Sequence, residues 1–286
     1  MTTQPSRSQV TLNLLTNLTL REIRSEYKRT VLGRVWSLVN PLAQIAVFSV
    51  VFGLIFGMEA APGTNSGVHF FPVWIGIGVI VWGFLSGSIR AGMSGLMSNA
   101  GLLQKVALPR WVLVLSKVLA LVFTFLIELA VLSIIMAFVG GWNLLLFLHL
   151  PILVPLLLVT TAFVLGIGLM LSVASVYFRD IEHLWTILVQ VWMYASGVVF
   201  PVSLVASKQA ELDAAGVTIA GLPVPLLAVF ELNPAQVLLS MYRNVLYDFA
   251  PPPMEDWLYV SAWAVGSLVI GALVFRRFSR NIVEEL

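Results

Sequence analysis

Residues 177–202 read YFRDIEHLWTILVQVWMYASGVVFPV. Four ionisable side chains, Arg179, Asp180, Glu182 and His183, stand directly against a long apolar run. Either these charges occupy a turn between two membrane spans, or they form a chemical site inside the membrane. The choice depends on where the membrane boundary falls, which is a property of the whole chain.

Of the 286 residues, 59% are hydrophobic and 10% charged, where a soluble domain carries roughly 25% charged residues. The mean hydropathy is +0.96. This composition describes an all-α, polytopic membrane protein. The chain has no cysteine, which excludes disulfides, thiol catalysis and Cys-ligated metals. Its three histidines, His69, His149 and His183, are far apart in sequence and predict no metal site. The first 34 residues are polar and charged and do not read as a cleavable leader.

A span needs about 20 mostly apolar residues. Six stretches qualify: Val35–Gly57, Phe71–Ile89, Trp111–Val139, Leu150–Ser175, Leu184–Ser203 and Trp257–Phe275. They divide the chain into an N-terminal segment, residues 1–34, and a six-span domain, residues 35–286. Lys and Arg orient the spans. Of the 16 basic residues, all but Lys208 and Arg243 fall on one side: before the first span, between the second and third or just inside the third (Lys117), after the fourth, and at the C-terminus. The loops after spans one and three (Glu59–Phe70, Gly140–His149) hold none. Both termini are therefore predicted to be cytoplasmic, in a cell (inner or plasma) membrane, and the RDIEH stretch falls in a cytoplasmic turn.

Before the first span, Leu20, Ile23, Tyr27 and Val31 recur at helical spacing, with Arg21, Arg24 and Lys28 on a basic face beside them. This pattern predicts an amphipathic helix in the headgroup layer. Gly83 and Gly87 form a GxxxG in span two, compatible with close helix packing. Between residues 204 and 256 the chain is neither a span nor a plain loop. Asn233 followed by Pro234 opens an amphipathic run, a good helix start, so short re-entrant or interfacial helices are expected on the outer face.

No GxxxxGK[ST] phosphate loop occurs, so the chain has no Walker-type ATP site. HExxH, GxSxG and EF-hand patterns are also missing. Lys117 and Glu128 are the ionisable residues inside the predicted spans. They share nearly one helix face but stand about 16 Å apart along it, too far to pair. Lys117 reaches the cytoplasmic interface by snorkelling. For Glu128 two readings stand, a polar path or a hydrogen bond to a neighbouring helix. Aromatic rings are abundant. Phe71, Trp74, Trp82, Trp192 and Tyr194 lie in or near the spans, with Trp82 and Trp192 well inside them. Interfacial belts and core packing account for such rings; flat faces on which sugars stack are the other reading.

Four stretches together resemble the permeases of polysaccharide-export ABC transporters: EIRSEYKRTVLGRVWSLVNPL (22–42), NAGLLQKVALPR (99–110), the quoted 177–202, and LNPAQVLLSMYRNVLY (232–247). They occur in the expected order and cover the chain end to end. The resemblance implies a membrane subunit, not itself an enzyme, that exports O-antigen-, teichoic acid- or galactan-like chains, usually lipid-linked. It implies a homodimer bound to two copies of a separate ATPase, which would bind ATP and Mg; no cofactor is expected in this chain and no nucleic acid partner. It further implies that Asn99, Leu103, Gln104, Lys105, Pro109 and Arg110, with Arg179, Asp180 and His183, touch the ATPase, and that Asn233 and Arg243 belong to the external helix. The alternatives are an ABC permease for a small lipid or drug, and a membrane glycosyltransferase on a polyprenyl carrier. The outside acids of the latter show no DxD spacing. A secondary transporter lacks the buried ionisable groups it would need.

Overall fold

The computed structural model describes residues 6–25, 33–105, 108–178, 180–219, 222–279 and 282. In chain order its helices are α1 (Arg7–Ser25), α2 (Trp36–Phe48, continuing as a π-helix over Ser49–Ile55), α3 (Phe71–Met93), α4 (Ala100–Leu103), α5 (Trp111–Val139), α6 (Leu144–His149), α7 (Leu153–Tyr177), α8 (Ile181–Tyr194), α9 (Val202–Ala214), α10 (Leu226–Glu231), α11 (Pro234–Leu246) and α12 (Met254–Phe278). A two-residue antiparallel pairing, Thr218–Ile219 with Leu222–Pro223, joins α9 to α10. The chain is thus all-α in architecture. Among the described residues, five helical stretches are long and apolar enough to cross a membrane: Leu38–Ile55, α3, α5, Leu144–Tyr177 and α12.

The expected fifth span, Leu184–Ser203, is not one helix. α8 has 14 residues, about 21 Å of rise, and stops at Tyr194. Gly197 then adopts φ +65°, and Pro201, extended at ψ 153°, brings no N–H to continue a ladder. The chain nevertheless crosses here. α7 and α12 run parallel: Ser267 Oγ donates to Phe163 O at 3.3 Å and Tyr177 OH to Phe278 O at 3.1 Å. A chain that leaves α7 at one face and enters α12 at the other has to traverse the bundle between them. This fifth crossing in chain order is therefore composite, made of a short helix and an irregular turn.

α3 is the most enclosed of the five long apolar helices; its buried residues run from Phe71 to Met93. Around it, Phe84 stacks on Phe125 of α5 with centroids 4.3 Å apart, and Tyr242 of α11 meets Phe125 edge-on at 5.7 Å. α7 seats against α12 at glycines: a Cβ on Gly271 would overlap the Gly166 carbonyl, and one on Gly166 would overlap the backbone of Ser267. α3 approaches α7 in the same way, since a Cβ on Gly92 would lie 3.0 Å from Gly168 Cα. The expected Gly83/Gly87 pair does not serve this purpose. A Cβ on Gly83 would meet nothing within 4 Å, and one on Gly87 only Leu121 at 3.8 Å.

α1 begins at Arg7, well before the predicted stripe, and docks on the bundle through buried Leu18 with Leu14 and Leu15 beside it. Leu20 of the predicted stripe is exposed, and Tyr27, Lys28 and Val31 lie outside the described residues. In contrast to α3, no residue of the stretch Leu38–Ile55 is buried, and α8 turns Leu184, Ile187, Leu188 and Val191 outward. Below, the side of the bundle carrying α1 is called the α1 face and the side carrying α11 the far face.

Candidate translocation and partner-contact sites

The broken fifth crossing is held from α11. Asn233 caps that helix by accepting from the Ala235 N–H at 3.0 Å. The same carboxamide donates to Ala195 O at 2.9 Å and Ser196 Oγ at 3.0 Å, and accepts from Trp192 Nε1 at 2.9 Å. Further along the same helix, buried Arg243 donates from Nη1 to Gly197 O at 2.8 Å and from Nη2 to Val198 O at 3.0 Å. Its guanidinium lies over the Trp74 ring, 3.6 Å from the centroid. Gly78 makes room for it, because a Cβ there would sit 2.5 Å from Nη2 and 2.9 Å from Val198 O. Breaking a helix frees carbonyls that hydrocarbon cannot satisfy; the fork of Arg243 supplies the donors.

The far-face loop is stitched to the end of α11. Tyr247 O accepts from Ser66 Oγ at 2.5 Å, Phe249 O from Asn65 Nδ2 at 3.1 Å, and the Asp248 carboxylate from the Thr64 N–H at 3.1 Å. Burial pushes the Asp248 carboxyl above the usual carboxylate range, opposed by the Thr64 hydrogen bonds and by Arg243.

The five rings predicted for a sugar path do not share one open surface. Phe71, Trp74 and Trp82 are buried in the core, and Trp74 is covered by Arg243. Trp82 packs edge-on against Trp192 at 5.6 Å, and Trp185 also meets Trp192 edge-on at 6.2 Å. Trp192 is half-buried and Tyr194 exposed. In this conformation the depth of Trp82 reflects core packing, and no sugar reaches its faces.

On the α1 face, the residues predicted to touch a partner separate into two groups. Asn99 and Leu103 are buried. Asn99 accepts from Arg21 Nη2 of α1 at 2.6 Å and donates to Gly95 O at 2.9 Å, while Leu103 joins the cluster of Leu18, Leu113 and Phe275. These two brace the element from within and do not present to a partner. Gln104, Lys105 and Pro109 are exposed and Arg110 half-buried. Asp180 and His183, at the start of α8, are exposed as well; Arg179 lies outside the described residues. Lys117 stands 4.0 Å from Glu22 of α1, which also receives Arg21 at 2.8 Å. The snorkelling lysine thus ends at an acid that α1 brings to it. Arg24 closes the last turn of α1.

One cluster was not singled out in the sequence. Asn40 and Gln44 of α2 and Thr124 and Glu128 of α5 line a cavity of 210 Å³ against α3. A signal existed: both pairs are spaced i,i+4 inside apolar runs, which puts each pair on one helix face.

The ABC-2 type transporter family model matches residues 13–209, more than half of the chain. The chain belongs to the ABC-2 type transporter family. It is a multi-pass membrane component of such a transporter. Two curated relatives show how far the likeness extends. The O-antigen export system permease protein RfbA of Myxococcus xanthus is 24% identical over 273 residues, covering 96% of this chain and 95% of that protein. One of the same name from Klebsiella pneumoniae is 23% identical over 241 residues, covering 82% of this chain and 85% of its own length.

Proposed function

We propose that this ABC-2 family member is the membrane subunit of an ATP-driven exporter of lipid-linked polysaccharide, acting as a homodimer with two copies of a separate ATPase. The observation that carries the reading is the end-to-end match with an O-antigen export permease, over 96% of this chain and 95% of the relative. In this reading both termini are cytoplasmic in the cell membrane, because the Lys and Arg residues concentrate on the α1 face. The exposed groups Gln104, Lys105, Pro109, Asp180 and His183 then face the cytoplasm and receive the ATPase. The unburied apolar surface of α8 meets the second protomer.

The test is depletion of the chain in its native cell, with glycan followed on both sides of the membrane. Polysaccharide should vanish from the cell surface and accumulate inside on its lipid carrier, and the chain should co-purify with a soluble ATPase. Normal surface glycan accompanied by loss of a small lipid or drug from the outer leaflet would replace this reading with a permease for that smaller cargo.

A further inference from the structure

We propose that the cleft between α2, α3 and α5, walled by Asn40, Gln44, Thr124 and Glu128, is a hydrated site that binds hydroxyl-rich ligands within the membrane. The depth follows from α3. Gly83, at the floor of the cleft, lies ten residues from Met93, about 15 Å along the helix and so near the middle of a roughly 30 Å hydrocarbon layer. Asn40 and Gln44 are exposed about one and two turns into α2, on a helix with no buried residue between Leu38 and Ile55. Two primary amides facing lipid would each cost several kcal/mol on the order of unsatisfied polar groups in hydrocarbon. They face a polar medium instead.

The shape and chemistry agree. The cavity, 210 Å³, is far above the ~10–15 Å³ that one water needs. Gly83 leaves its floor open, since a Cβ there would meet nothing within 4 Å. Pro41, inside α2, is also in the lining. The carboxamides and the Thr124 hydroxyl both donate and accept, and Glu128 is acidic. Among the described residues no Lys or Arg lines the cavity. Such a set is complementary to hydroxyls, which also donate and accept, and not to phosphate. The ligand's identity as the exported glycan rests on the proposed function; the hydration of the cleft does not.

The chain lacks cysteine, so single-cysteine variants of the assembled transporter in native membrane vesicles are clean probes. A membrane-impermeant thiol reagent should label Asn40→Cys and Gln44→Cys at least tenfold faster than Leu42→Cys and Val47→Cys, which are also exposed in the single chain. Labelling at 40 and 44 should slow severalfold in membranes that make the glycan, compared with membranes whose glycan synthesis is blocked. Gln44→Leu with Glu128→Leu should lower export at least tenfold with assembly intact, whereas Gln44→Asn and Glu128→Gln should retain most of it. Equal, slow labelling at all four positions overturns the hydrated cleft. Fast labelling without glycan protection, with normal export by the leucine variant, leaves a water pocket and overturns the binding site. A disulfide joining two copies of the Asn40→Cys variant, or two of the Gln44→Cys variant, makes the face a subunit contact and overturns both. If the wild-type transporter exports no glycan, the proposed function falls, while the labelling contrast still decides hydration.

Discussion

Replacing Arg243 should loosen the turn at residues 195–200 more than any other part of the bundle. The side chain makes two hydrogen bonds, to Gly197 O and Val198 O, and covers Trp74. A hydrogen bond involving a charged group contributes about 1.5–3 kcal/mol, and a desolvated cation over an indole about 2 kcal/mol. Arg243→Met keeps much of the volume and removes all three contacts, while sparing the cost of burying the charge. The net loss for the turn is then about 3 kcal/mol, equivalent to about a hundredfold in its opening equilibrium. Arg243→Lys should fall between, because one ammonium does not reproduce a flat fork that reaches two carbonyls and stacks on a ring. Hydrogen exchange followed by mass spectrometry of peptides across residues 192–203 measures the opening directly. We expect amides there to exchange about a hundredfold faster in Arg243→Met, with peptides from α5 and α7 unchanged. Unchanged exchange at 195–200 would refute the view that α11 holds the break in the fifth crossing. So would uniform acceleration over the whole protein, which would show Arg243 to be an undifferentiated part of the core.

Gly271→Ala should separate α7 from α12, since its methyl would overlap the Gly166 carbonyl; overpacking of this kind costs about 1–3 kcal/mol or more, and a lowered melting temperature in detergent checks it, with Gly83→Ala as the neutral control. Trp192→Phe removes the indole donor to Asn233 and should cost about 0.5–1.5 kcal/mol, read as faster exchange at the N-terminus of α11. Glu22→Gln should weaken the attachment of α1 to Lys117 of α5, so that protease cleaves more readily within α1 while the membrane-embedded core stays resistant. Burial raises the Asp248 carboxyl, so the folded chain holds that proton at higher pH than the unfolded chain, and the stabilisation it contributes is full at low pH and lost as pH rises through the raised value. Asp248→Asn should flatten that part of the pH–stability profile, measured by thermal melts across the acidic range.

The long crossings were legible because a membrane imposes a simple rule on sequence: about 20 apolar residues in a row. Trp111–Val139 is a helix with the bounds read from composition, and α3, α7 and α12 differ from their predicted spans by a few residues at the ends. The helix start at Asn233-Pro234 was also legible, because capping is a local matter of one side chain and the next two amides. The break after Tyr194 was not. Apolar residues run on to Val202, and only Gly197 and Pro201 mark a stop, in a region where membrane helices often tolerate both. What decides it is Arg243, 45 residues beyond Val198 in the chain, whose donors satisfy the freed carbonyls; no local pattern contains that partner.

The same distinction separates the candidate sites. Sequence alone established a polytopic all-α chain, the asymmetry of its basic residues and the lack of a phosphate-binding loop, since each depends on composition or on short contiguous patterns. Only the tertiary structure decided which face of each helix is available. Trp82 and Asn99 look as prominent in the sequence as Tyr194 and Lys105, yet the first two are buried by other elements and the latter two are exposed. Asn40 and Glu128, far apart in the chain, become parts of one cavity wall. The physical reason is that burial and convergence come from contacts between distant segments, and a helix's own sequence does not state which of its faces its neighbours will cover.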